Sequence, residues 1–361
     1  MNSEDAPPLS PAEGWLTRFM ILRLLGVVYA AAFLAAALQL VPLMGRHGLT
    51  PLNLYLGRVA EYFGSPGQGF LQLPSLFWFW HSDFALLAVS WTGFALGCAV
   101  AFGCANSLIL LALWGLYMSI IHTGQVWYGY GWETQLLETG FLAVFLCPLL
   151  DARPFGRRAP PTPVIWLFRW LIFRIMLGSG LIKLRGDPAW RDLTALFYHF
   201  ETQPLPNGLS RWFDFLPRGA LRGGVVFNHL AELAAPFFVF GPRVLRRVGF
   251  ASLVLLQVLI LTTGNYGFFN VLAIVLCLSV LDDRDFRDLA MIVRRKGKAT
   301  LEDEVPSGPA PARRWPMPRL VAVGIAGGVL AAVTGAQAME TAWPHAVILM
   351  PIQMLAQAIE P

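Results

Sequence analysis

TRFMILRLLGVVYAAAFLAAALQLVPL, residues 17–43, is a long apolar run with only Arg18 and Arg23 near its start. Crossing the hydrocarbon of a bilayer takes about 20 apolar residues in a helix, and this run exceeds that length. It is also too long for the core of a removable leader, so it is expected to remain as an anchor. The composition agrees. Of 361 residues, 56% are hydrophobic and 14% charged, with a mean hydropathy of +0.56, whereas soluble domains carry roughly 25% charged residues. The fold class expected is an all-α integral membrane protein.

Working outward from that run, the length rule gives a polytopic bundle of about nine spans. The others are expected at 83–103, 106–124, 132–150, 164–184, 225–241, 246–263, 266–281 and 318–338. Residues 1–16 read as a disordered tail, 17–281 as the main bundle, 282–317 as a flexible Pro-rich linker, and 339–361 as a tail after the last span. Short loops carrying Arg153, Arg157 and Arg158, then Arg243, Arg246 and Arg247, then Arg294, Arg295, Lys296 and Lys298 fall on one side. The excess of basic residues makes that side cytoplasmic. The N-terminus is then inside and the C-terminus periplasmic or lumenal, and segments 44–82 and 185–224 face outward. The formal charge of +5 is a topology signal here, and no nucleic-acid partner is expected. The four cysteines form no CxxC pair and read as packing thiols. Asp282, Asp283, Asp285 and Asp288 read as a helix cap neutralised by Arg284 and Arg287, so no metal is expected, nor any cofactor.

Ionisable residues within spans are costly and point to function by default. Glu138 lies two turns into the fourth expected span, after Glu133. Arg174 lies mid-way along the fifth, with Lys183 at its outer end. Asn228, His229 and Glu232 open the sixth, and His229 and Glu232, three apart, share a helix face. Two readings of these residues stand side by side. They are structural ion pairs, such as Glu138 with Arg174, or they line a cavity around Lys183.

One stretch is far more specific: GSGLIKLRGDPAWRDLT at 178–194 followed by YHFETQPLPN at 198–207. With WETQLLETG at 132–140, Phe227-Asn228-His229 plus Glu232, and TGNYGFFN at 263–270, it closely resembles the lipase maturation factor family. The resemblance covers most of the chain. It implies a membrane protein that assists folding and assembly of exported lipases. The membrane would be the endoplasmic reticulum in a eukaryote, or the inner membrane in a bacterium. In that reading the external loop offers Trp190, Tyr198, His199, Phe200, Glu201, Gln203 and Pro204 to a client protein. The family also carries a β-rich domain after the last span. It is not in this sequence, and a separate chain supplying it is one expectation. A more distant resemblance, carried by Gly180, Lys183, Leu184, Asp187 and Trp190, is to vitamin K-dependent γ-glutamyl carboxylase. It implies a membrane enzyme acting on a lipid, a quinone or an exported protein, with Lys183 as base and Glu138, Arg174, His229 and Glu232 around it. A transporter is the third class, but no inverted repeat or pair of broken helices supports it.

Overall fold

The computed structural model describes residues 14–153, 159–296 and six isolated positions between 317 and 328. Among the described residues there are helices and turns and no strand. α1 (Trp15–Met44) is followed by the shorter helices α2 (Leu52–Tyr62) and α3 (Pro66–Gln72). The hairpin α4 (Asp83–Phe102) and α5 (Ser107–Thr123) follows, then α6 (Gly131–Leu146) and α7 (Thr162–Arg185). Three short helices come next: α8 (Pro188–Arg191), α9 (Ala195–His199) and α10 (Ser210–Asp214). α11 (Arg218–His229) runs through a π-helical turn, Leu230–Ala234, into α12 (Ala235–Phe238). α13 (Arg243–Thr263), α14 (Phe269–Cys277) and α15 (Asp283–Lys296) complete the described bundle. Four helices, α1, α4, α7 and α13, are long and apolar enough to span a membrane, and α5 and α14 are shorter apolar helices. The expected span at 318–338 lies almost wholly outside the described residues.

α1 is the central helix. Ile21, Leu25, Tyr29, Phe33, Ala36, Leu40 and Met44 are all fully buried. Within lipid, burial of apolar side chains gives little drive, and close backbone packing holds helices together. α1 and α4 meet at glycines. A Cβ on Gly97 would lie 2.7 Å from the Ala30 nitrogen, and one on Gly26 would lie 2.4 Å from the Ala101 nitrogen. Helix starts are set by local caps: Ser82 accepts from the Ala85 amide at 3.1 Å, and Asn106 accepts from the Ile109 amide at 2.8 Å.

Two stretches differ from expectation. The linker expected from residue 282 begins instead as a helix, α15. Its acidic residues are held by neighbouring helices. Asp285 and Asp288 pair with Arg243 and Arg247 of α13, and Asp282 pairs with Arg246 of α13 and Arg169 of α7. Asp283 caps the start of another helix, accepting from the amides of Trp15 and Leu16 at 2.9 Å and of Thr17 at 3.3 Å. Burial alone would raise the Asp285 carboxyl, but the Asp282 amide, Arg243 and Arg247 hold it below its ordinary value. The second difference is the sixth expected span, 225–241, where the helix begins at Arg218 and carries a π turn, Leu230–Ala234, part-way along. Pro236 has no N–H to donate to the carbonyl one turn back, and the chain widens into the π turn just before it.

Candidate functional site

The site is built where the outer end of α7 meets that π turn. Gly180 makes the approach feasible: a Cβ there would lie 2.7 Å from a Leu233 methyl and 3.0 Å from the Glu232 Cβ. With the helices this close, Lys183 Nζ donates to Glu232 Oε1 at 2.5 Å and to Asn228 Oδ1 at 3.2 Å. Ser179 Oγ donates to the same Glu232 oxygen at 3.2 Å. Glu232 is 2% exposed. The Lys183 ammonium also lies 4.8 Å from the centre of the Trp190 ring, a cation–π distance. His229 faces Trp190 as well, its ring 6.0 Å away and its Nε2 3.0 Å from the Trp190 carbonyl oxygen. Glu232 Oε2 and His229 Nδ1 are buried with no hydrogen-bond partner among the described residues.

A second polar layer lies next to this one and ties the segment between α7 and α11 down. Gln203 Nε2 donates to the Thr263 carbonyl at 2.9 Å and lies 2.8 Å from His199 Nε2. Tyr266 Oη lies 3.2 Å from the same His199 nitrogen. Asn207 Nδ2 donates to the carbonyls of Leu261 at 3.1 Å and Gly264 at 3.3 Å, and Ser210 Oγ donates to that of Thr263 at 2.6 Å. Residues 199–210 are thus stapled to the outer end of α13.

The staple is expected to depend on pH. Gln203 Nε2 is a donor, so His199 Nε2 faces it as an unprotonated acceptor, with Tyr266 Oη beside the same lone pair. Burial, and then the Lys183 charge, push the imidazole below its ordinary value. The unfolded chain therefore takes up a proton that the folded site refuses. The stabilisation is full above the ordinary histidine value of about 6.5 and is lost as pH falls through the lower folded value. Protection of amides in residues 195–210, relative to the intrinsic exchange rate at each pH, is expected to fall on acidification through that window, and His199→Asn is expected to flatten the dependence. An exchange rate in the wild type that follows only the intrinsic chemical rate would refute it.

The candidate residues therefore divide. Lys183, Glu232 and Asn228 meet directly, and His229 reaches Trp190. Glu138 and Arg174 pair with each other between α6 and α7. They are not part of the same cluster, because Arg174 lies nine residues before Lys183, about 13 Å along the helix. Of the expected client contacts, Trp190, His199, Phe200 and Gln203 are partly buried and hold the loop together, while Tyr198, Glu201 and Pro204 are exposed. Sequence reasoning missed Ser179. It also missed the setting of Glu133, a buried carboxylate that accepts from Tyr117 Oη and from Trp132 Nε1 at 2.9 Å. A tyrosine one helix away from a carboxylate gives no local signal.

These residues coincide with the stretches that carry the sequence resemblance, and the comparisons extend it. The family described as the lipase maturation factor transmembrane domain matches residues 16–288. The chain belongs to the lipase maturation factor family. It is 43% identical over 302 residues to lipase maturation factor 1 of Bos taurus, covering 82% of this chain and 51% of that protein. It is 44% identical over 276 residues to lipase maturation factor 1 of Mus musculus, covering 74% of this chain and 48% of that one. Lipase maturation factor 2 of Xenopus laevis is 39% identical over 285 residues, covering 74% of this chain and 39% of that one. The chain thus spans about half the length, or less, of these maturation factors. No solved structure matches. As a member of this family with long apolar helices, the protein is a membrane protein.

Proposed function

We propose that the protein is a membrane-embedded maturation factor for exported proteins, lipases first among them, and that clients meet it on the external face of residues 185–204. The observation that carries this is the stapled external segment. Its inward residues lock it to α7, α11 and α13, so that Tyr198, Glu201 and Pro204 are presented on a rigid support. A rigid surface spares a client the entropy of ordering a loop. The test is the activity of exported lipases in cells lacking the gene, rescued with wild type or with Tyr198→Ala, Glu201→Ala and Pro204→Ala combined. The triple variant is expected to insert normally yet to restore severalfold less active lipase and to crosslink less to it. Full rescue with unchanged crosslinking would sink the proposal.

A second reading, an enzyme with Lys183 as its base, is favoured by one observation: the buried, unpartnered Glu232 Oε2 and His229 Nδ1 beside the ammonium. It predicts that Lys183→Arg, which keeps the charge, inserts normally and leaves lipases inactive. Rescue by Lys183→Arg removes it.

A further inference from the structure

Residues 205–216 present large apolar side chains outward. Trp212 is 70% exposed, Phe215 67% and Leu205 63%, with Leu209 and Leu216 beside them. An apolar surface of this kind, set in a polar surround, marks something that covers it. Its level in the fold says what. Asn207 and Ser210 bond to the carbonyls of Leu261, Thr263 and Gly264, at the turn joining two apolar helices, α13 and α14. α13 is long and apolar enough to span, so its end at Thr263 lies at the membrane surface. α13 is moreover a peripheral helix that leaves Leu255, Val258 and Leu261 exposed to whatever surrounds the bundle, which at that depth is lipid. α10 is therefore pinned beside a lipid-facing helix at headgroup level.

The charges fit the same surroundings. Residues 205–224 hold three arginines, Arg211, Arg218 and Arg222, against one acid, Asp214. Arg218 and Arg222 are exposed, one turn apart on α11, and lie 5.8 and 5.9 Å from the Phe197 ring centre. Arg211 lies 5.7 Å from that of Phe215. Apolar rings pointing to hydrocarbon with guanidinium groups above them match a segment lying in the interfacial plane.

We infer that residues 205–216 form a wedge buried in the outer leaflet, with Arg211, Arg218 and Arg222 meeting phospholipid phosphates. This does not depend on the maturation reading. It leaves the opposite, polar side of the external segment, with Glu201 and Pro204, to the aqueous compartment.

The test is nitroxide accessibility in vesicles of phosphatidylethanolamine and phosphatidylglycerol. Cys98 and Cys104 are replaced by Ala, and single cysteines are introduced by Leu209→Cys, Trp212→Cys and Leu216→Cys, with Glu201→Cys as the aqueous reference. The ratio of oxygen to nickel-chelate collisions is expected to be severalfold higher at 209, 212 and 216 than at 201. Arg218→Glu with Arg222→Glu is expected to reduce the ratio at 216. A ratio at all three positions equal to that at 201 places the segment in water and overturns the inference. Protection from both reagents, as under a protein partner or a second copy, overturns it as well.

Discussion

Glu232→Ala is expected to destabilise the bundle by about 3 kcal/mol, the cost typical of breaking a buried ion pair by removing one partner. Glu232 is 2% exposed and is the carboxylate that both Lys183 and Ser179 address. Without it the ammonium keeps only Asn228 Oδ1 and the Trp190 ring. Lys183→Met is expected to cost a similar amount, because it strands the carboxylate. The combination Lys183→Met with Glu232→Leu is expected to recover most of either loss, since both desolvation penalties go together. Thermal unfolding in detergent of wild type, both single variants and the double variant completes the cycle. Additive losses would mean that the two side chains are not coupled. The same set separates stability from function. If the double variant is stable but leaves lipases inactive, the pair does more than hold α7 to the π turn. If it restores them, the charges are structural.

Gly97→Val is expected to be strongly damaging at the α1–α4 contact. The new Cβ would meet backbone, the Ala30 nitrogen at 2.7 Å and Cα at 3.0 Å, and backbone cannot swing aside. Overpacking of this kind costs typically about 3 kcal/mol at the upper end. Gly93→Val is expected to cost a similar amount, because its Cβ would lie 2.3 Å from Phe33 ring atoms and that ring is fully buried against Tyr29 and Tyr117. Gly115→Val meets nothing within 4 Å and is expected to leave stability unchanged. The rank order in thermal unfolding is the check. Equal effects at 97 and 115 would contradict close packing of α1 on α4.

The apolar helices were legible in the sequence to within a few residues wherever hydropathy alone decides them. Expected spans at 83–103 and 106–124 correspond to Asp83–Phe102 and Ser107–Thr123, each begun by a cap residue that is itself readable. α15 was not legible, because its charges lower its hydropathy and its partners, Arg243, Arg246 and Arg247, lie on another helix. Nor was the π turn, which follows from Pro236 meeting the packing demands of Gly180. For the site, ionisable residues in apolar runs identified Lys183 and Glu232 separately. That they meet depends on how α7 crosses α11, which no local pattern encodes. The external residues show the limit most clearly: Gln203 and Glu201 are both polar, yet one faces the bundle and the other faces away.

The carboxylate of Asp283 has a consequence for biosynthesis. The amide of Trp15, at the start of α1, is satisfied by a side chain translated 268 residues later. At roughly 5–20 residues per second that delay is on the order of tens of seconds. α1 can be inserted and packed on α4 long before then, but its leading turn stays open until α15 is made. Completion of the bundle is thus tied to synthesis through residue 283, and a nascent protein halted before it lacks the cap on α1.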